Sequence, residues 1–285
     1  MSDRELREVE RELATTPSSL DLRRRHARLL ARAGRGDAAL DALDLAWRLG
    51  AADLWDELRA GLDERRVQVA GLELRYVPGG PFVMGRPDFD ADAAPAHLVT
   101  LSPFYVSART LSWWALLEWP EVARRRPWLL ETAPEHRAKY SYPVARGVDE
   151  VRAALDFLNG ARGADGLRAL TLPSEAQWER AHRAALLTPD GSNPYGLSDH
   201  DAPEWTADRY DAAAYDRGPG RDPAPAAEGE LHVVRGIPGL PARERLTYRE
   251  VASADGQFPF HGMVFTRWAR GEVGVRARVV CGLGS

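Results

Sequence analysis

Apolar positions recur at helical spacing over residues 1–66. Leu6, Val9 and Leu13 mark one face. Thr15-Thr16-Pro17-Ser18-Ser19 interrupts it, and Ser18 or Ser19 can cap a second helix carrying Leu22, Leu29 and Leu30. Ala33-Gly34-Arg35-Gly36-Asp37 reads as a turn, with glycine as the stop and Asp37 as the next cap. Ala39, Leu40, Leu43, Ala46 and Trp47 then share a face, Gly50 ends it, and Leu54, Leu58 and Leu62 begin a fourth helix. From residue 70 the pattern changes. Leu72, Leu74 and Tyr76 alternate as in a strand, Pro78-Gly79-Gly80-Pro81 turns, and Phe82-Val83-Met84 is a short strand stopped by Gly85. After an acidic loop over 86–95, strands are predicted at 98–101 and 104–106. Helices are predicted at 111–125 and 149–160, an irregular loop at 211–230, and strands again at 232–235 and 273–280. The expected organisation is a helical segment over 1–66 followed by an α+β domain over 70–285. Its helices sit amid many short strands, not in a wound parallel sheet.

Composition narrows the function. A length of 285 residues fits one large domain, or one with a small appendage. The 44% hydrophobic and 28% charged content is that of a soluble globular chain. A net charge of −4 gives no overall positive field, so neither nucleic acid nor an anionic membrane is an expected partner. No apolar run approaches a membrane span, and the charged start Met1-Ser2-Asp3-Arg4-Glu5 has no apolar stretch behind it, so a cytoplasmic location is expected. The single cysteine, Cys281, excludes an internal disulfide, a Cys-rich zinc site and any two-thiol mechanism within one chain. It is expected as a buried small apolar residue just beyond the final strand. His26 is flanked by arginines and reads as a surface residue. His97, His136, His182, His200, His232 and His261 form no pair at metal-ligating spacing. Gly79-Gly80 lies between prolines, which lack the N–H donors of a phosphate cradle.

Two resemblances add to this. The stretch from Leu29 to Leu40, with Leu43 and Ala46, resembles the turn and second helix of a tetratricopeptide repeat. Stacked repeats need about three units for stability and one is readable here, so this segment is expected to dock on the second domain or on a partner. The second resemblance covers residues 74–285. Its blocks are Val77-Pro78-Gly79-Gly80-Pro81-Phe82-Val83-Met84-Gly85, Pro95-Ala96-His97-Leu98-Val99-Thr100-Leu101, Leu170-Thr171-Leu172-Pro173-Ser174-Glu175-Ala176-Gln177-Trp178-Glu179-Arg180-Ala181 and Asn193-Pro194-Tyr195-Gly196-Leu197. They continue with Glu204-Trp205-Thr206-Ala207-Asp208, Val233-Val234-Arg235-Gly236, Arg245-Leu246-Thr247-Tyr248-Arg249 and Gly274-Val275-Arg276. In this order they resemble the formylglycine-generating enzyme (sulfatase-modifying factor) domain, a variant of the C-type-lectin fold. Within the strongest block, Ser174 and Gln177 have capping-box spacing, and Trp178 and Ala181 share a core face. Glu175 and Glu179 lie four apart on one face, a spacing open to acid/base work, but are expected as a capping residue and a solvated face. Trp205 is expected as a core anchor, with Thr206 and Asp208 in a turn after it.

The chemistry departs from the family. Its enzymes use two cysteines between the Arg-Gly and Arg-x-x-x-Arg blocks to bind copper, and the interval 237–244 here holds none. The three-histidine iron site of the family's C–S bond-forming members has no counterpart. The calcium loop is shortened, so no metal is expected; Asn193, Asp199, Asp201 and Asp208 are hard oxygen ligands that make weak calcium candidates. No cofactor is expected. The resemblance therefore implies a non-catalytic adaptor or sensor that binds a protein or peptide, in a bacterial signalling, defence or secretion system. Its partner surface is expected at Tyr248, Phe258, Phe260, His261, Phe265, Arg267 and Trp268, with the N-terminal helices as a second surface. The alternatives are a retroelement-diversified binder using those same loops, or an enzyme with altered, non-thiol chemistry around Glu204, Arg245 and Arg249.

Overall fold

The computed structural model describes residues 2–86, 91–125, 127–131, 147–163, 165–188, 192–198, 202–217, 220–237, 240, 248–254 and 275–283. Four helices open the chain: α1 (Ser2–Thr15), α2 (Leu20–Arg32), α3 (Gly36–Arg48) and α4 (Trp55–Glu64). The Ser19 hydroxyl caps α2 by accepting from the Leu22 N–H at 3.4 Å. α3 starts two residues earlier than expected, with Arg35 at its cap position. Asp37 falls instead in its first turn, where the helix dipole favours a carboxylate, and pairs with Arg65 at 2.6 Å. Leu6 and Val9 of α1 pack with Leu29, Leu30 and Ala39 in a small apolar cluster. Leu40, Leu43, Ala46 and Trp47 face the other way. They join Leu54, Leu58, Leu62 and the strands in one continuous core.

Eleven strands form three sheets among the described residues. β1 (Val67–Val69), β2 (Leu72–Val77), β5 (Phe104–Ser107) and β11 (Val280–Gly282) lie side by side in that order, all antiparallel. The β1–β2 hairpin closes through Ala70-Gly71, both at positive φ (49° and 76°), which matches the twist of the paired strands. β3 (Gly80–Met84), β4 (His97–Leu101) and β7 (Gly220–Arg221) make a second sheet. β10 (Arg276–Ala277), β6 (Glu204–Arg209), β8 (His232–Arg235) and β9 (Glu250–Ala252) make the third. Two longer helices, Val148–Ala161 and Glu175–Arg183, complete the mixed α+β arrangement.

Several expectations shift. The helix foreseen over 111–125 is a 3-10 turn, Trp113–Leu116, and a short helix starting at Pro120, where a missing N–H costs nothing. Thr206 and Asp208 lie in strand β6, not in a turn, and the Thr206 hydroxyl donates to the Val233 carbonyl at 3.0 Å. Cys281 is buried as expected but inside β11, opposite Tyr105. His26 is half-buried, 3.5 Å from Glu10, and not a free surface residue.

The helices meet the sheets through polar bonds as well as apolar packing. Asp44 of α3 has no solvent exposure. One of its oxygens accepts from Arg180 Nη2 at 2.6 Å and Arg48 Nε at 2.7 Å, the other from the Tyr195 hydroxyl at 2.7 Å. Arg180, itself fully buried, also donates to the Pro78 carbonyl at 3.0 Å. Beside them Asp41 accepts from the Gly79 N–H at 2.8 Å, and Arg48 donates to the Pro81 carbonyl at 2.9 Å. Deleting one member of such a buried pair strands the other charge, at a cost of about 3–5 kcal/mol. Asp44→Ala is therefore expected to lower the unfolding free energy by about that amount in a urea titration. An unchanged midpoint would show that Arg180 finds another partner. Truncation before residue 67 removes the same carboxylate and is expected to leave no stable remainder.

Candidate functional site

The helix Glu175–Arg183 organises the described site. Its start is set by the foreseen capping box: the Ser174 hydroxyl accepts from the Gln177 N–H at 3.2 Å, and Gln177 Oε1 accepts from the Ser174 N–H at 3.0 Å. The burial of this helix corrects the solvated-face expectation. Glu175 is 4% exposed and Glu179 fully buried, and Ala176, Trp178, Arg180, Ala181 and His182 are buried as well. A helix this polar stays buried only where each charge has a partner.

Two further sets of partners surround it. In the first, Glu175 accepts from Arg249 through both oxygens, at 2.8 and 2.9 Å, and from Arg235 Nη1 at 3.1 Å. Glu179 accepts from Arg235 Nη2 at 2.6 Å, Arg183 Nη1 at 2.6 Å and the Gly85 N–H at 2.9 Å. The Arg249 guanidinium lies over the Tyr215 ring at 4.6 Å and the Tyr210 ring at 5.2 Å. Burial alone lowers the pKa of Arg235, but Tyr215, Glu179 and Glu175 outweigh it and hold the guanidinium above its ordinary value. In the second set, Glu204 accepts from Trp178 Nε1 at 2.9 Å and from Arg278 at 3.0 and 3.1 Å. Arg278 also donates to the carbonyls of Ser107, Ala108 and Ser198. His182 stacks on Trp178 with ring centroids 4.0 Å apart. Gly236, at φ 82°, lets the chain pass this indole; a Cβ there would stand 2.9 Å from it.

Glu204 and Arg249, read from the sequence as cleft residues, thus sit in internal ion pairs in different sets. Tyr248 is half-buried and packs against the core. Arg245, Phe258, Phe260, His261, Phe265, Arg267 and Trp268 lie outside the described residues. Of the oxygen ligands considered for calcium, Asn193 donates to the Ala181 carbonyl and accepts from the Tyr195 N–H. Asp208 accepts from the Glu175 and Ala226 N–H groups at 2.7 and 3.4 Å, while Asp199 and Asp201 lie outside the described residues. Among the described residues no three His, Cys, Asp or Glu side chains are grouped to hold a metal ion. Burial pushes the Cys281 thiol up to about 11, so it is a neutral and weak nucleophile near pH 7. Burial and nearby Arg209 and Arg152 push His232 down to about 4; its ring is fully buried beside Trp205.

Sequence reasoning missed Asp44, Arg180, Tyr195, Arg235 and Arg278. The available signal was a charge in phase with an apolar stripe: Asp44 follows Leu40 by four residues and precedes Trp47 by three. Two large clefts lie elsewhere. One of about 830 Å³ is lined by Leu72, Arg109, Trp114 and Phe157 among others. The other, about 770 Å³, lies between α3–α4 and residues 192–196. No helix among the described residues is long and apolar enough to cross a membrane.

No family model and no curated protein matches the chain. Among solved structures it is similar to PvdO from Pseudomonas aeruginosa, at 20% identity and a TM-score of 0.54, over 76% of this chain and 98% of that one. It also aligns with Treponema denticola variable protein 1 at 17% identity and a TM-score of 0.48, over 76% and 98% of the two chains. At this identity the likeness to PvdO shows a shared fold and nothing of its activity.

The site has one testable titration. Burial, reinforced by the Glu175 charge and opposed by two backbone donors, pushes the Asp208 carboxyl up to about 7. A carboxyl raised on folding is most favourable when protonated. Its contribution is complete below the unfolded value of about 3.9 and is lost as pH rises through about 7. Asp208→Asn is expected to flatten the decline in stability between about pH 4 and 7, measured by urea midpoints at stepped pH. The same slope in both proteins would assign the titration to another group.

Proposed function

We propose that residues 70–285 are a catalytically degenerate version of the formylglycine-generating-enzyme fold, of C-type-lectin type. On this reading the protein is a non-catalytic adaptor or sensor that binds a protein or peptide. The ordered motif blocks support the fold assignment, and the similarity to PvdO agrees with a fold spanning about three quarters of the chain. The functional reading is carried by one observation: Glu175, Glu179, Glu204, Arg235, Arg249 and Arg278 are all buried and bonded to one another or to backbone carbonyls. A general acid or base must reach a proton on a substrate, and a group closed inside an ion pair does not. The lone thiol is closed in a strand and neutral. A rigid, internally neutral base of this kind suits loops that bind. The reading places the partner surface on the C-terminal loops, around Tyr248 and the aromatic and basic residues 258–268, with the helices as a second surface. A bacterial signalling, defence or secretion assembly is the setting the resemblance implies.

Incubation of the full chain with a cysteine-containing sulfatase peptide, oxygen and copper(I) is expected to leave the peptide mass unchanged. Conversion that disappears in Cys281→Ser would overturn the non-catalytic reading. Cross-linking of the complex purified from the native source is expected to join the partner to residues 237–270 or to the helices. A chain that purifies alone at native abundance would overturn the adaptor reading.

A further inference from the structure

The cleft of about 770 Å³ lies between the opening helices and the first sheet, and Tyr248 is not among its described lining residues. One wall is α3 and α4, with Trp47, Trp55 and Arg59, and Arg66 just after them; the other is β2 and residues 192–196, with Arg75 and Pro194. The two indoles lie 5.2 Å apart, and Trp55 is only partly buried. Leu187, 49% exposed, stands at the rim. Among the described lining residues Asp63 is the one carboxylate, against three arginines. It pairs with Arg66 and lies 3.9 Å from Arg75, which Glu73 also holds at 2.6 Å. Arg59 is exposed and has no ion pair among the described residues. Gly196, at φ 75°, brings its backbone against the Arg75 guanidinium and fixes that wall; a Cβ there would stand 3.2 Å from Cζ.

We propose that this cleft docks a polypeptide segment in which an aromatic side chain is flanked by acidic residues. This rests on the binding reading above in taking the ligand to be a polypeptide, and adds a second site with a defined chemistry. The aromatic side chain buries apolar surface between Trp55 and Leu187, and the flanking carboxylates meet Arg59 and Arg66. Tryptophan, tyrosine and arginine are the residues on which binding energy concentrates. A cleft of this volume suits one or two anchoring side chains. Arg59, the lining guanidinium without an ion pair among the described residues, disfavours a basic segment.

Calorimetric titration of the full chain tests this with blocked peptides: Asp-Glu-Phe-Leu-Asp-Glu, the same core flanked by lysines, and the acidic flanks around Gly-Ser. The first is expected to bind saturably and to weaken with added salt, the other two at least about tenfold more weakly. Trp55→Ala and Arg59→Glu are each expected to raise the Kd at least about tenfold. Arg25→Glu, the same charge change on α2 away from the cleft, is expected to leave it unchanged. Arg59 is exposed, so its substitution tests the site even if the Trp55 variant unfolds. No saturable binding of the first peptide, equal binding of the lysine-flanked one, or an unchanged Kd in Arg59→Glu would overturn the proposal. Phenylacetate binding as tightly as the peptide would reassign the cleft to small aromatic carboxylates and overturn it too. Failed binding here with an unmodified sulfatase peptide counts against this site alone. Binding here with peptide conversion counts against the non-catalytic reading alone.

Discussion

A guanidinium sealed from water has to be met by a carboxylate, and the one that meets Arg180 comes from α3, 136 residues earlier in the chain. This pair makes the opening helices part of the folding unit. Apolar contact alone would let them slide or detach at a cost proportional to area. A buried Asp44–Arg180 pair fixes their register, because any displacement leaves two uncompensated charges in a low-dielectric interior. Tyr195, bonded to Asp44, and the Pro78 carbonyl, bonded to Arg180, extend the same constraint to the loop after the motif helix and to the turn between β2 and β3.

The other buried ions follow this rule around the same helix. Glu175 and Glu179 are balanced by Arg235 and Arg249, and Glu204 by Arg278. These partners come from β6 and β8, from the residue before β9 and from the chain between β10 and β11, so the helix ties together segments far apart in sequence. Their contribution is best understood as placement. Isosteric apolar packing is often as stable as a buried ion pair, but it does not select one arrangement so sharply. The functional consequence is restrictive. Glu204 and Arg249, which resemble part of a reactive cleft in the sequence, are spent on architecture.

Much of the local structure was legible because its causes are local. The alternation Leu72-Leu74-Tyr76, the Ser174–Gln177 spacing and the stop at Gly85 each act within a few residues, and each matches an element boundary or cap. The ion pairs were not legible, because a glutamate on a helix looks the same in sequence whether it faces water or a distant arginine. Glu175 and Glu179 read as surface for that reason. β6 was missed because Glu204-Trp205-Thr206-Ala207-Asp208-Arg209 lacks clean alternation: its first three residues are all buried. β7 has two residues, too few to carry a period, and the strand expected over 273–280 divides into the two-residue β10 and the start of β11. The proposed aromatic contacts from Phe258 to Trp268 rest on the sequence alone.

The cleft between helices and sheets also depends on the Asp44–Arg180 pair. Trp47 of α3 lines that cleft one helical turn from Asp44, and Tyr195 lines it from the opposite side while its hydroxyl bonds the same aspartate. The opposing walls are therefore spaced by a hydrogen bond in the core and not by the contents of the cleft. A cleft held open in this way is preorganised: a ligand entering it meets aromatic and arginine side chains already in place and orders few of them on binding. The same link couples the two properties in reverse. A change that loosens α3 against Arg180 separates the cleft walls as it destabilises the fold, so the width of the cleft and the stability of the fold share one determinant.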